Sequence, residues 1–182
     1  MKISLSGITG DSIVDGPGIR LTIFTQGCPH HCPGCHNPQT HDPNGGSWGD
    51  TEDIINAMAE NPLLDGITLS GGEPAEQAEA CAELAHRAHQ KGLNVWTYTG
   101  STLEKLQQRA ADDPALQRLL DETDVLVDGP FVLALRSLEL DFCGSSNQRL
   151  IDMKQTRATG KVVLWEEFKL DLPEGPTTFG GI

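Results

Sequence analysis

Apolar and polar positions along the chain fall into a repeated strand, loop and helix order. Residues 20–26 (Arg-Leu-Thr-Ile-Phe-Thr-Gln) read as a strand feeding a cysteine-rich loop, and a Pro/Gly/Asn-rich stretch follows to about Gly49. Asp50 or Thr51 can cap a helix running to about Glu60, which Asn61-Pro62 stops. Residues 66–70 form a short strand ending in Gly71-Gly72-Glu73-Pro74. A strong helix covers about 75–91, with Ala78, Cys81, Ala85 and Ala88 on one face and Gly92 at its end. A strand over 93–98, helical stretches within 102–120 and a strand over 124–128 complete the regular part. Beyond it, 138–142, 149–153 and 161–166 are expected as short strands. Glu174-Gly175-Pro176 and Gly180-Gly181 mark a mobile tail from about 170. No internal repeat is visible.

This order is the signature of βαβ units around a parallel sheet. Four clear units are too few for a closed eight-unit barrel, which needs about 250 residues. The expected fold is therefore α/β, a partial, open parallel β/α barrel, in one domain over 1–182. In such folds chemistry gathers at the carboxyl ends of the strands. The cysteine loop, Gly71-Gly72-Glu73, Tyr98-Thr99-Gly100 and Asp128-Gly129 each follow a strand, which places four chemically suggestive segments on one rim.

Composition narrows the partners. The chain has 182 residues, 37% hydrophobic and 21% charged, with a net charge of −13. That balance argues for a globular protein and against nucleic acid as a partner. Residues 136–169 are the exception to the acidity. An acidic partner would dock near Arg136, Arg149, Lys154, Arg157 and Lys161, unless these form an ordinary solvated face. The N-terminus carries no signal-type apolar run, and no segment reaches membrane-spanning length. Five cysteines without a secretion signal point to thiols or metal ligands in the cytoplasm, not to disulfides.

Cys28, Cys32 and Cys35 stand in Cys-Pro-His-His-Cys-Pro-Gly-Cys, a C-x3-C-x2-C spacing. Three thiolates so close together can hold one metal centre, and Pro29, Pro33 and Gly34 stiffen and turn the loop. A cubane iron–sulfur cluster takes four cysteines, so three would leave one iron open. The bland alternative is a closed zinc site completed by His31 or His36, with Cys81 and Cys143 as weaker candidates for a fourth ligand. Cys81 sits on an apolar helix face, where a thiol usually packs. His30 and His31 are expected at the surface or behind the ligands, and Trp48, Trp96 and Trp165 in packing. The third cysteine argues against a simple C-x-x-C redox motif. In Gly71-Gly72-Glu73-Pro74, two glycines let a ligand approach the backbone, and a carboxylate there can accept from an ammonium group. Read alone, it is equally a strand-to-helix turn with a capping Glu.

Together the two motifs resemble the radical S-adenosylmethionine superfamily. Asp15-Gly16-Pro17-Gly18-Ile19-Arg20 and Cys35-His36-Asn37-Pro38 narrow the resemblance to its glycyl-radical-enzyme activating enzymes. Tyr98-Thr99-Gly100, Val127-Asp128-Gly129 and Gly144-Ser145-Ser146-Asn147-Gln148-Arg149 are similar to the branch that acts on anaerobic ribonucleotide reductase. The matching segments run from about residue 7 to 153.

The resemblance implies that Cys28, Cys32 and Cys35 ligate a [4Fe–4S] cluster. It also implies that S-adenosylmethionine binds the open iron, with Gly71, Gly72 and Glu73 at its methionine end and Asp128 assisting. Asn37 and Arg149 are either site supports or turn and surface residues. Many superfamily members carry an aromatic before the last cysteine, where this chain has Gly34. Adenine contacts would then fall to backbone or to His36. A lysine that related enzymes carry after the strand-end Asp is replaced by Pro130. The implied reaction is reductive cleavage of S-adenosylmethionine, followed by hydrogen abstraction from a glycine Cα in a loop of the reductase large subunit. Reduced flavodoxin or a similar carrier would supply the electron. Two alternatives are another small radical enzyme acting on a small molecule, such as a deazapurine-forming synthase, and a zinc-stabilised binding module.

Overall fold

The computed structural model describes residues 1–166. The expected mobile tail from about 170 lies outside them. In chain order the strands and α-helices are β1 (Lys2–Ser12), β2 (Arg20–Thr25), β3 (Ser47–Asp50), α1 (Thr51–Glu60), β4 (Gly66–Gly71), α2 (Ala78–Gln90), β5 (Asn94–Tyr98), α3 (Leu103–Ala110), α4 (Pro114–Asp121), β6 (Val125–Asp128), β7 (Arg149–Asp152) and α5 (Met153–Thr159). They build one seven-stranded mixed sheet in the order β3-β1-β2-β4-β5-β6-β7. The central four strands are parallel, in the register Arg20↔Gly66, Gly66↔Asn94 and Trp96↔Val125. β1, β3 and β7 add antiparallel margins.

Local chemistry explains the regular part. The Asp50 carboxylate accepts from Glu52 N–H and caps α1 as expected. A 3-10 turn over Pro74–Gln77 leads into α2, whose Ala78, Cys81, Ala85 and Ala88 are buried, and Gly92 takes φ 76° just beyond it. Alternation along the strands makes two unlike faces. Leu21, Ile23, Ile67, Leu69, Val95 and Leu126 join the helices in the main core. The opposite face carries Arg20, Thr22, Thr68 and Trp96, with Val125 and Val127 packing on Trp96.

Buried Arg20 explains the Asp15–Arg20 segment. Its guanidinium donates to Thr68 Oγ1 (2.7 Å), Asn94 Oδ1 (2.8 Å), Ile67 O and Pro17 O, and lies 5.5 Å from the Trp96 ring centre. Burial lowers its pKa to about 10. A Cβ on Gly16 would come within 2.8 Å of that side chain, and one on Gly18 within 2.3 Å of Asp65. The two glycines let the loop close over the arginine.

The irregular part departs from expectation. β1, β3 and α5 add to the elements read from sequence. Residues 138–142 are not a strand; Leu138 is 87% exposed, and the segment belongs to a loop over the sheet. Within 161–166 only a bridge from Leu164 to Ile151 forms. Trp48 does not pack, standing 74% exposed on β3.

Candidate functional site

The cysteine loop is closed at its neck by backbone. Gly27 N–H donates to Thr40 O (2.8 Å) and Cys28 N–H to His41 O (3.3 Å). Gln26 reinforces the neck from beneath, its amide donating to Gln39 O and Asp42 O. Inside the loop, Cys35 N–H donates to Cys32 O, and Asn37 N–H approaches Cys35 Sγ at 3.4 Å. Gly34 turns the chain at φ 74°, and a Cβ there would meet Leu133 at 2.9 Å. The aromatic common before the last cysteine in the resembling family would need a left-handed backbone and a shifted Leu133 here. Phe131 stands beside the loop instead, its ring 4.9 Å from that of exposed His36.

The Gly71-Gly72-Glu73 turn packs edge-on against the end of β2. Gly72 N–H donates to Thr25 O and Glu73 N–H to Gly27 O, each 2.8 Å. A Cβ on Gly71 would meet Phe24 Cα at 2.6 Å, and one on Gly72 would meet Gly27 O at 2.4 Å. The glycines are thus required first by backbone meeting backbone.

Glu73 is fully buried. Oε1 accepts from Ala75 N–H (3.2 Å), while Oε2 accepts from Thr99 Oγ1 (3.0 Å) and Gly100 N–H (3.0 Å) and pairs with His30 Nε2 (2.7 Å). One carboxylate therefore joins the cysteine loop, its own turn and the end of β5. The bond to Glu73 holds the His30 imidazole above its ordinary pKa, against the burial that pulls it down. The His30 ring lies over Gly100, where a Cβ would come within 2.4 Å of it.

These segments surround a cavity of about 620 Å³. Its wall includes Cys28, Cys32, Cys35, His36, Gly71 and Gly72, with Thr99, Gly100, Gly129 and Phe131 completing the rim. The four strand ends expected on one rim do meet there. Asp128 stands behind the wall, 1% exposed. It accepts from Leu103 N–H (2.7 Å) and from both Nε and Nη2 of Arg149. Arg149 also forks onto Glu104. Neither Asp128 nor Glu73 lines the cavity. Among the described residues, Arg157 is likewise engaged, with the carbonyls of Leu120 and Thr123. Of the five basic residues expected to meet an acidic partner, two are therefore committed within the fold.

The donor set suits an iron–sulfur centre. All five cysteines are free thiols. Cys28, Cys32 and Cys35 lie together on the cavity wall, three thiols for a cubane that takes each thiolate on its own iron. Burial pushes the Cys28 thiol up, so a metal bound there would have to displace its proton. Cys81 lies in the core, raised to about 12 by burial. Cys143 lines the cavity, raised to about 11 by burial and by Asp128.

Sequence reasoning did not find the His30–Glu73 pair or Phe131. A histidine between two cysteines signals little when its partner lies 43 positions away.

The chain matches the family described as a 4Fe-4S single cluster domain over residues 14–151. It is 38% identical to the anaerobic ribonucleoside-triphosphate reductase-activating protein of Salmonella typhimurium, across 75% of this chain and 90% of that protein. The Escherichia coli K12 protein of that description matches equally. The pyruvate formate-lyase 1-activating enzyme of Escherichia coli K12 is 30% identical, across 84% of this chain and 61% of that enzyme.

Proposed function

Because this chain belongs to the glycyl-radical-enzyme activating enzymes of the radical S-adenosylmethionine type, we propose that it installs a glycyl radical on anaerobic ribonucleotide reductase. The observation that carries the reading is the single cavity bordered by the three cysteines, the Gly71-Gly72 peptides and Phe131. Its volume, about 620 Å³, lies in the range of small-molecule sites. The bound [4Fe–4S] cluster and S-adenosylmethionine supply one-electron cleavage of the sulfonium and hydrogen abstraction from a glycine Cα.

The chain's own residues bind, orient and shield. Cys28, Cys32 and Cys35 would hold the cluster. The Gly71 and Gly72 backbone, bare of side chains on the cavity wall, would meet the methionine end. His36 and Phe131 offer a surface for adenine, which answers the missing aromatic at Gly34. Glu73 acts from behind, fixing His30, Thr99 and Gly100 through its hydrogen bonds. Asp128 holds Arg149 and the first turn of α3 through its own hydrogen bonds, behind Gly129. The four-stranded parallel centre, with polar and aromatic residues on one face and helices on the other, supports the partial β/α barrel reading. Such an open architecture admits a peptide loop from the side. Five free thiols support a reducing, cytoplasmic setting. Among the described residues no helix is long and apolar enough to cross a membrane.

The test is to mix dithionite-reduced, cluster-loaded protein with S-adenosylmethionine and the reductase, then record electron paramagnetic resonance. A glycyl doublet is expected. Deoxyadenosine release with no doublet would remove the reductase as substrate. A colourless protein after anaerobic iron and sulfide treatment would remove the radical chemistry.

A further inference from the structure

The cavity beside the cysteines has a part of its wall that the proposed chemistry leaves unused. The cysteine loop follows β2, whereas Val14 precedes it, and both border the same space. Arg136, Leu138, Leu140 and Phe142, from the segment after β6, belong to that wall too. Residues 138–142 read Leu-Glu-Leu-Asp-Phe. The three apolar members line the cavity and the two acids do not. Such alternation is the pattern of a half-buried strand. Yet among the described residues no backbone–backbone hydrogen bond reaches Leu138 to Asp141, and Glu139 N–H is engaged only with Ser137 Oγ. The segment is nevertheless tied at both ends. Arg136 bridges Ser145, and Ser146 N–H donates to Leu135 O (3.0 Å). Tyr98 donates its hydroxyl to Phe142 O (2.9 Å), and the Phe142 ring stands edge-on to Trp96. Between these ties lies a short run of unpaired peptide groups with Leu138 87% exposed, and Val14 on the same cavity is 73% exposed.

Unpaired peptide groups beside apolar side chains suit another peptide, because backbone hydrogen bonds supply affinity and apolar pockets supply selectivity. A small polar substrate would leave the leucines in water. The glycine of the proposed reaction must also reach the cysteine end of this same cavity. We propose that Val14, Leu138 and Leu140 hold the glycine-bearing segment of the partner. They take apolar side chains next to the glycine, while the backbone of 138–141 pairs with that of the segment. Arg136 offers further donors to its carbonyls. The three apolar residues thereby decide which glycine is presented to the cofactor. The assignment rests on the function proposed above.

The experiment follows the growth of the glycyl doublet by electron paramagnetic resonance, with dithionite-reduced, cluster-loaded protein and a series of reductase concentrations. Leu138→Asp and Leu140→Asp should each raise the half-saturating reductase concentration about tenfold. Val14→Asp should do the same, and serves if Leu140→Asp fails to fold. Calorimetry on the cluster-loaded variants should give the parent's dissociation constant for S-adenosylmethionine. Leu63→Asp, an equally exposed leucine at the far end of α1, should keep the parent's value for the reductase. A synthetic peptide spanning the reductase glycine should compete with the reductase. The same peptide with serine in place of the apolar residues beside the glycine should compete about tenfold less well. Equal half-saturating concentrations for the parent and the cavity variants would overturn the assignment. So would an equal rise in Leu63→Asp, a loss of S-adenosylmethionine affinity in the cavity variants, or equal competition by the two peptides. Failure of the functional reading shows separately, as absence of any doublet from the parent at every reductase concentration.

Discussion

Replacing His30 by alanine removes the shortest bond to a carboxylate that has no access to water. His30 Nε2 lies 2.7 Å from Glu73 Oε2, Glu73 is 0% exposed, and the imidazole is 23% exposed. A hydrogen bond to a charged group contributes about 1.5–3 kcal/mol. Thr99, Gly100 and Ala75 would still donate to Glu73, so the loss should fall near the middle, about 2 kcal/mol. For a chain of this size that is about 4–8 °C in unfolding midpoint. A double-mutant cycle with Glu73→Gln isolates the pair: the coupling should be about 1.5 kcal/mol or more, because each single variant already removes the charged contact. Urea unfolding of parent, both single variants and the double variant gives the cycle. Affinity for S-adenosylmethionine, measured by calorimetry on cluster-loaded protein, should also weaken in His30→Ala and partly return in His30→Gln. A coupling below about 0.5 kcal/mol, within the scatter of independent sites, would refute the view that this bond ties the cysteine loop to its neighbours.

Cys28→Ala, Cys32→Ala and Cys35→Ala should each abolish the broad visible absorption of the reconstituted cluster, while Cys81→Ala and Cys143→Ser keep it; a colourless Cys143→Ser would make Cys143 a ligand. Arg149→Ala should cost about 3–5 kcal/mol in urea unfolding, because it leaves buried Asp128 unpaired. Arg149→Lys should rescue little, since a lysine cannot reproduce the fork to two carboxylates, and full rescue would count against that geometry. On the other side of the helix layer, His89 places one ring nitrogen on Glu122 and the other on Asp124, which demands the charged imidazolium. Burial pulls His89 down, but these bonds prevail and raise it above the ordinary 6.5. Glu122 is held low by His89 and His86 against its own burial. His89 therefore stabilises the fold fully below the unfolded imidazole pKa, and that contribution is lost as pH rises through its raised value. Glu122 contributes above the unfolded carboxylate pKa and loses its share as pH falls through its lowered value. His89→Gln should flatten the alkaline side of a urea-midpoint profile against pH, and an unchanged profile would contradict the pairing.

The parallel centre was legible because each strand is a short apolar run followed by a glycine-bearing turn and a capped or amphipathic helix. β1 was not, because Gly7 and Gly10 interrupt its alternation and its pairing with β2 carries register shifts. Its place is set by β2 and β3 on either side. α5 did leave signals, a cap at Asp152 and a left-handed Gly160, but at seven residues it lacks a periodic stripe. Leu138 and Leu140 imitate a strand, yet they belong to the loop over the cavity, where nothing pairs with them as a strand. At the site, the cysteines and glycines announced themselves by spacing. The burial of Glu73 and Asp128 did not, because it depends on segments that meet only in the folded chain. Both carboxylates were expected at the ligand, and both are buried and hydrogen-bonded within the fold.

The neck of the cysteine loop bears on how this protein ages. Its closure depends on backbone bonds between Gly27 and Thr40 and between Cys28 and His41, seated on the end of a central strand. In small metal domains the metal supplies the folding energy, and its loss unravels the chain. Here the sheet and the neck stand on their own hydrogen bonds, and iron has only the loop to order. Loss of the cluster to oxygen should then strip the protein of its chemistry while sparing its shape. Far-ultraviolet circular dichroism should stay unchanged on removal of iron, and iron and sulfide alone should restore the visible absorption.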